Sequence, residues 1–177
     1  GPGARQALLD SGIDPSSGTL ILLGTGGAAR AIAFDLAFNN KPEKIVLLGV
    51  IEQEMKQLAG DLREATDVPV DGLMLNDATL EASLKSDGTL VNATPIGMHP
   101  KIDNTLVPKS LLHKGLGVMD IIYNPLETRL LKDSKSLGLK TVGGFDMFVN
   151  QAIIQFEAWT NKRAPRETMR KVVLERL

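Results

Sequence analysis

Cysteine is absent from the 177 residues, which excludes disulfides, thiolate metal sites and a cysteine nucleophile and fits a reducing compartment. Histidine is nearly absent. His99 and His113 are the two present, too few for a zinc or iron site of the usual kind, so no metal ligand set is expected and both read as ordinary surface residues. Aromatic residues are scarce, with five Phe, one Tyr and one Trp, which argues against a base-stacking platform. Neither sign of charge dominates: 20 Lys and Arg stand against 21 Asp and Glu, for a net charge of −1. With no long basic run either, neither nucleic acid nor an anionic membrane is expected as a partner. No apolar run approaches the roughly 18–20 residues of a membrane span, and the N-terminus lacks a charged start followed by an apolar stretch. These absences predict a soluble, cytoplasmic globular domain, and the length suffices for a substantial core.

What is present is an alternation of two periods. Residues 19–23 (TLILL) and 44–48 (KIVLL) are continuous apolar runs too short for helices, as expected of strands buried on both faces. Residues 28–38 and 53–65 carry apolar side chains at helical spacing. The pattern repeats with strands at 70–75, 89–91, 117–122 and from 140 into Gly143-Gly144, and helices at 77–86 and 126–137. Pro69 and Gly72 interrupt the strand at 70–75. A short helix at 4–10 leads in, and helices at 146–159 and 165–177 close the chain, the last expected to dock on the sheet through Met169, Val172 and Val173. No internal repeat, low-complexity linker or domain boundary is evident. Strands alternating with crossover helices imply an α/β domain with a mostly parallel, six-stranded, doubly wound sheet (Rossmann-like), whose ligands bind beyond the carboxyl ends of the strands.

Those ends carry the chemistry. Directly after the strand at 19–23 comes Gly24-Thr25-Gly26-Gly27-Ala28-Ala29-Arg30, a G-x-G-x-x-A string between a buried strand and an amphipathic helix. In a dinucleotide site Gly24 makes the tight turn, Gly26 lets main chain approach a pyrophosphate, and Ala29 permits close packing of helix on strand. The free N–H groups at the helix start attract the phosphates. A glycine turn required only for packing is the other reading. Asn92-Ala93-Thr94-Pro95-Ile96-Gly97-Met98 follows the fourth strand, Asp120-Ile121-Ile122-Tyr123-Asn124-Pro125 the fifth, and Gly143-Gly144-Phe145-Asp146-Met147 the sixth.

Together these segments resemble the shikimate dehydrogenase family, including its quinate/shikimate relatives, in which GAGGAAR, N-A-T-P-I-G-M, D-x-x-Y-N-P-x-x-T-x-L-L and a glycine-plus-methionine segment before Q-A occur in this order. Thr128, Leu130, Leu131, Gln151 and Ala152 complete the match. The resemblance runs from about residue 4 to the end and implies that residues 1–177 are the NAD(P)-binding half of a two-domain enzyme. It implies that Gly24, Thr25, Gly26, Gly27, Ala28 and Ala29 hold the pyrophosphate, and that Ala93, Thr94 and Pro95 line the path to the nicotinamide. Ile121, Gly144 and Met147 would frame the ring, while Tyr123 and Gln151 reach the substrate. Read without the resemblance, Tyr123 is a turn residue, Gln151 a helix flank and Met147 core filler. Asp120 serves to bond nearby backbone amides.

The family's catalytic Lys and Asp belong to an N-terminal substrate domain and to the N-T-D-G-x-G junction. Gly1-Pro2-Gly3-Ala4-Arg5 resembles that junction from its first Gly onward, with the Asp falling just before Gly1; Gly1-Pro2 as a remnant of tag cleavage is the alternative. No catalytic residue is therefore expected in this chain, and the chain alone is expected not to turn over shikimate.

The pattern departs at the second strand's end. Where the family has N-R-T and a further basic residue for the 2′-phosphate of NADP, this sequence has Gly49, Val50 and Ile51, with Glu54 at the extra position. NADP is the family's cofactor, while Val50 cannot replace an Arg fork and Glu52 and Glu54 repel a phosphate, which opens NAD as the alternative. The expected function is reduction of 3-dehydroshikimate to shikimate with NAD(P)H in aromatic amino-acid biosynthesis. Its rivals are a non-catalytic dinucleotide-binding or regulatory module, and another two-domain dehydrogenase acting on a folate derivative.

Overall fold

A computed structural model describes residues 1–176 of the chain. The strands β1 (Thr19–Leu23), β2 (Lys44–Gly49), β3 (Val70–Met74), β4 (Gly88–Asn92), β5 (Leu116–Asp120) and β6 (Thr141–Gly143) form one sheet in the order β3-β2-β1-β4-β5-β6. Every neighbouring pair is parallel. The helices are α1 (Pro2–Asp10), α2 (Gly27–Asn39), α3 (Glu52–Ala65), α4 (Asp77–Ser83), α5 (Arg129–Ser136), α6 (Gly144–Thr160) and α7 (Arg166–Leu174). The doubly wound architecture expected from the alternation is therefore present.

Alternation along each strand divides the core in two. Leu20, Leu22, Ile45 and Leu47 point to one face, where Ala33 and Leu36 of α2 and Leu58 and Leu62 of α3 cover them. Ile21, Leu23, Val46 and Leu48 point to the other, against Leu80 of α4 and Leu130 and Leu131 of α5. Both faces of the central strands are buried, which is why TLILL and KIVLL carry no polar residue on alternate positions. A third cluster joins α6 to α7: Phe145, Val149 and Ile153 pack against Met169 and Val173. The last helix thus docks on α6 rather than on the sheet, and Val172 is exposed. Its expected end at Leu177 lies outside the described residues.

Several boundaries move for local reasons. α5 begins at Arg129, not 126, because Thr128 caps it, its side chain accepting from Leu131 N. β5 stops at Asp120 rather than 122, since the Asp120 carboxylate takes the Ile122 N–H at 3.1 Å. Gly144 opens α6 instead of ending β6, and α4 ends at Ser83 where 86 was expected. His113 is not an ordinary surface residue: its Nε2 lies 2.9 Å from Leu84 O and its Nδ1 accepts from Gly115 N at 3.2 Å. That pairing fixes the Nε2–H tautomer and ties the end of α4 to the approach of β5. Among the described residues no helix is long and apolar enough to cross a membrane.

Candidate functional site

The sheet order reverses between β1 and β4, whose chains leave in opposite directions, so a crevice opens at their carboxyl ends. Gly24 turns the chain there with φ +99°, and a Cβ on it would sit 2.9 Å from the Ala93 carbonyl oxygen. Gly26 differs. Its φ −73° and ψ −173° suit any residue, and an added Cβ would meet nothing within 4 Å. The same open space faces Gly27. No side chain caps α2, and the helical bonding starts with Arg30 N to Gly26 O at 2.9 Å. The amides of Gly27, Ala28 and Ala29 thus head an uncapped helix beside vacant volume, the positive end of its dipole. This cradle fits a diphosphate, whose oxygens would occupy the space a Cβ on Gly26 would take.

Beyond β4 and β5 lies a cleft of about 540 Å³ lined by Ala93, Thr94, Pro95, Ile121 and Tyr123, with Met98 and His99 also on its wall. Its shape is set by a buried polar lattice. Asn92 Oδ1 accepts from Thr94 N at 3.2 Å and from Thr94 Oγ1 at 2.7 Å, while Asn92 Nδ2 donates to Ile96 O at 3.3 Å and to Asp120 Oδ1 at 3.2 Å. Thr128 Oγ1 donates to Asp120 Oδ2 at 2.7 Å. Ile122 O in turn accepts from Gly144 N at 3.2 Å, so one carboxylate connects the exits of β4 and β5 with the starts of α5 and α6. The expected backbone bond of Asp120 is present, but the lattice around it was not foreseen. Polar residues ending otherwise apolar strands, GTLVN and LGVMD, were the available signal.

Asp120 is 0% exposed, and burial pushes its carboxyl above the ordinary aspartate range against the pull of the Thr128, Ile122 and Asn92 donors. A raised folded-state pKa stabilises the protein below the unfolded pKa and loses that contribution as pH rises through the folded one. In Asp120→Asn this component is expected to vanish, while the amide facing donors costs about 1–3 kcal/mol at neutral pH. Urea unfolding across the acidic range checks it; parallel pH profiles for the two proteins would sink the assignment.

The expected site residues distribute unevenly. Tyr123 is half exposed, its ring 5.4 Å from that of Phe148 on α6. Gly144 packs directly on the Ile121 main chain, leaving no room for a Cβ. Met147 leans on the core beneath the sheet's first face and is not among the cleft-lining residues. Gln151 is exposed one turn further along α6, where Gly3 of α1 packs so closely that a Cβ there would lie 2.8 Å from Gln151 N. At the end of β2, Gly49 is buried against the Thr25 side chain, Val50 is 71% exposed, and Thr25 Oγ1 donates to Glu54 Oε2 at 3.4 Å. Among the described residues no group of three His, Asp or Glu side chains is positioned to hold a metal ion.

The family described as Shikimate 5'-dehydrogenase C-terminal domain matches residues 144–174. The chain is 42% identical over 179 aligned residues to the shikimate dehydrogenase (NADP(+)) of Methanosarcina mazei, an alignment covering 100% of this chain and 62% of that protein. Among solved structures, a Listeria monocytogenes shikimate 5-dehydrogenase in complex with shikimate and NAD superimposes with a TM-score of 0.89 at 27% identity, covering 97% of this chain and 61% of that one. The Thermus thermophilus enzyme with NADP(H) and shikimate gives a TM-score of 0.82 at 29% identity, covering 99% and 61%. The chain therefore spans about three-fifths of the length of the relatives it matches. In sequence and fold the chain is similar to shikimate dehydrogenases over that span, the resemblance that its four strand-end motifs imply.

Proposed function

We propose that residues 1–177 are one NAD(P)-binding domain, the cofactor half of an oxidoreductase that reduces 3-dehydroshikimate to shikimate. The observation that carries this reading is the uncapped start of α2, where Gly26 and Gly27 face open space at the point of strand reversal. When bound, the nicotinamide ring supplies or takes up the hydride. The chain's own work is to bind and orient. The amides of Gly27, Ala28 and Ala29, with Gly24 and Thr25 shaping the turn, hold the diphosphate. Ala93, Thr94 and Pro95 line the way to the nicotinamide, and Ile121, Gly144 and Met147 frame its ring, of which Ile121 forms cleft wall and Gly144 sets the distance of α6 from it. Tyr123 offers a hydroxyl and Gln151 an amide, each able to donate and accept, to a polyol carboxylate arriving from the open side. A rigid platform of this kind contributes by fixing ring face and distance rather than by moving protons. The proton-transferring groups belong, in this reading, to a separate substrate domain.

Titration of the 177-residue chain with NADH or NADPH, followed by nucleotide fluorescence, is expected to saturate at one equivalent. The same chain given shikimate and oxidised nucleotide is expected to show no turnover. Failure to bind either nucleotide sinks the dinucleotide reading, whereas turnover by the chain alone sinks its assignment as half of an enzyme.

A further inference from the structure

The geometry at the end of β2 points to NAD, not NADP, as the dinucleotide of this chain, an inference that rests on the reading just proposed. In a doubly wound fold the adenosine ribose lies against the end of the second strand, where an acidic side chain bonds the ribose hydroxyls of NAD and a guanidinium accepts the 2′-phosphate of NADP. Here that edge presents apolar surface: Val50 is 71% and Ile51 50% exposed, and neither side chain carries a donor. The polar group beside it is a carboxylate. Glu54, in the first turn of α3, holds its Oε2 3.4 Å from the hydroxyl of Thr25, within the glycine turn itself. An ionised carboxylate only accepts hydrogen bonds, which suits ribose hydroxyls and opposes a phosphate bearing nearly two negative charges.

The cations on the flanking helices are committed elsewhere. Arg30 of α2 pairs with Asp61 at 2.6 Å and lies 5.0 Å over the Phe34 ring. Lys56 of α3 pairs with Glu52 at 2.6 Å, and Arg63 Nε donates to Val70 O at 2.9 Å. Recruiting any of them to a 2′-phosphate means breaking an existing contact. The residues present thus fit the pyrophosphate of either nucleotide and the ribose of NAD, but not the 2′-phosphate of NADP.

Parallel titrations of the chain with NADH and NADPH, at low and at moderate salt, test this directly. NADH is expected to bind at least ~10-fold more tightly, since the 2′-phosphate forfeits hydrogen bonds to water and gains none. Added salt should narrow the gap by screening the carboxylate against the phosphate. Glu54→Gln should weaken NADH and strengthen NADPH binding, and Val50→Arg should improve NADPH alone. Equal or tighter binding of NADPH by the unaltered chain overturns the inference while leaving the dinucleotide reading intact; no binding of either nucleotide overturns both.

Discussion

Gly26→Ala is expected to weaken nicotinamide dinucleotide binding by at least ~10-fold, roughly 1.4 kcal/mol or more, with a stability loss of no more than the about 1 kcal/mol that alanine costs at a helix N-cap. The two halves of this expectation come from the same observation. A Cβ at Gly26 meets no protein atom within 4 Å, and the backbone there, at φ −73°, is one that alanine adopts freely. Neither a clash nor backbone strain therefore requires glycine at this position. The vacant space is the space a diphosphate needs to reach the amides of Gly27, Ala28 and Ala29, so the methyl group displaces ligand rather than protein. Gly24 provides the contrast. Its φ of +99°, and the Ala93 carbonyl oxygen 2.9 Å from where its Cβ would stand, make Gly24→Ala a folding defect first. Calorimetric melting and nucleotide titration of both variants separate the cases, and a Gly26→Ala protein that binds as the parent does would show the ledge is not the phosphate site.

Gly144→Ala carries the largest expected loss of stability, on the order of 3 kcal/mol, or about 6–12 °C in Tm for a chain of this size. The new methyl would land inside the van der Waals envelope of the Ile121 carbonyl and the Ile122 carbonyl carbon, all of it backbone that no rotamer change can clear. Nor can α6 retreat easily. Its first turn is held to β5's exit by Gly144 N donating to Ile122 O at 3.2 Å, and its flank is in contact with α1, where a Cβ on Gly3 would lie 2.9 Å from Met147 O. Urea unfolding reads the effect; a loss below about 0.5 kcal/mol, the range of ordinary surface changes, would show that the helix start is softer than described.

Central elements were legible in the sequence because their burial leaves no alternative composition. TLILL and KIVLL sit between helices on both faces, and an uninterrupted apolar run is the necessary result. The edge strand was harder to read for an identifiable reason. Gly72 breaks the pattern of β3 because Met55 and Ala59 of α3 lie directly over it, while Pro69 ahead of the strand supplies a carbonyl to Ile45 N at 2.8 Å. The glycine turn could be found because its signal is local, seven residues in a row between strand and helix. The Asn92–Asp120–Thr128 lattice left only its polar strand ends as a signal, since its bonds exist only once β4 and β5 are neighbours, joining side chains 28 positions apart.

The lattice has a thermodynamic corollary for any molecule entering the cleft. Because Asp120 already fastens the Thr94 and Ile122 segments to one another through protein bonds alone, the walls are preorganised. A guest need not expend its interaction energy freezing loops, and little of its affinity should be lost as ordering entropy. Backbone amides at residues 92–94, 96 and 120–122 should therefore be protected from hydrogen exchange before ligand is added, and scarcely more so afterwards.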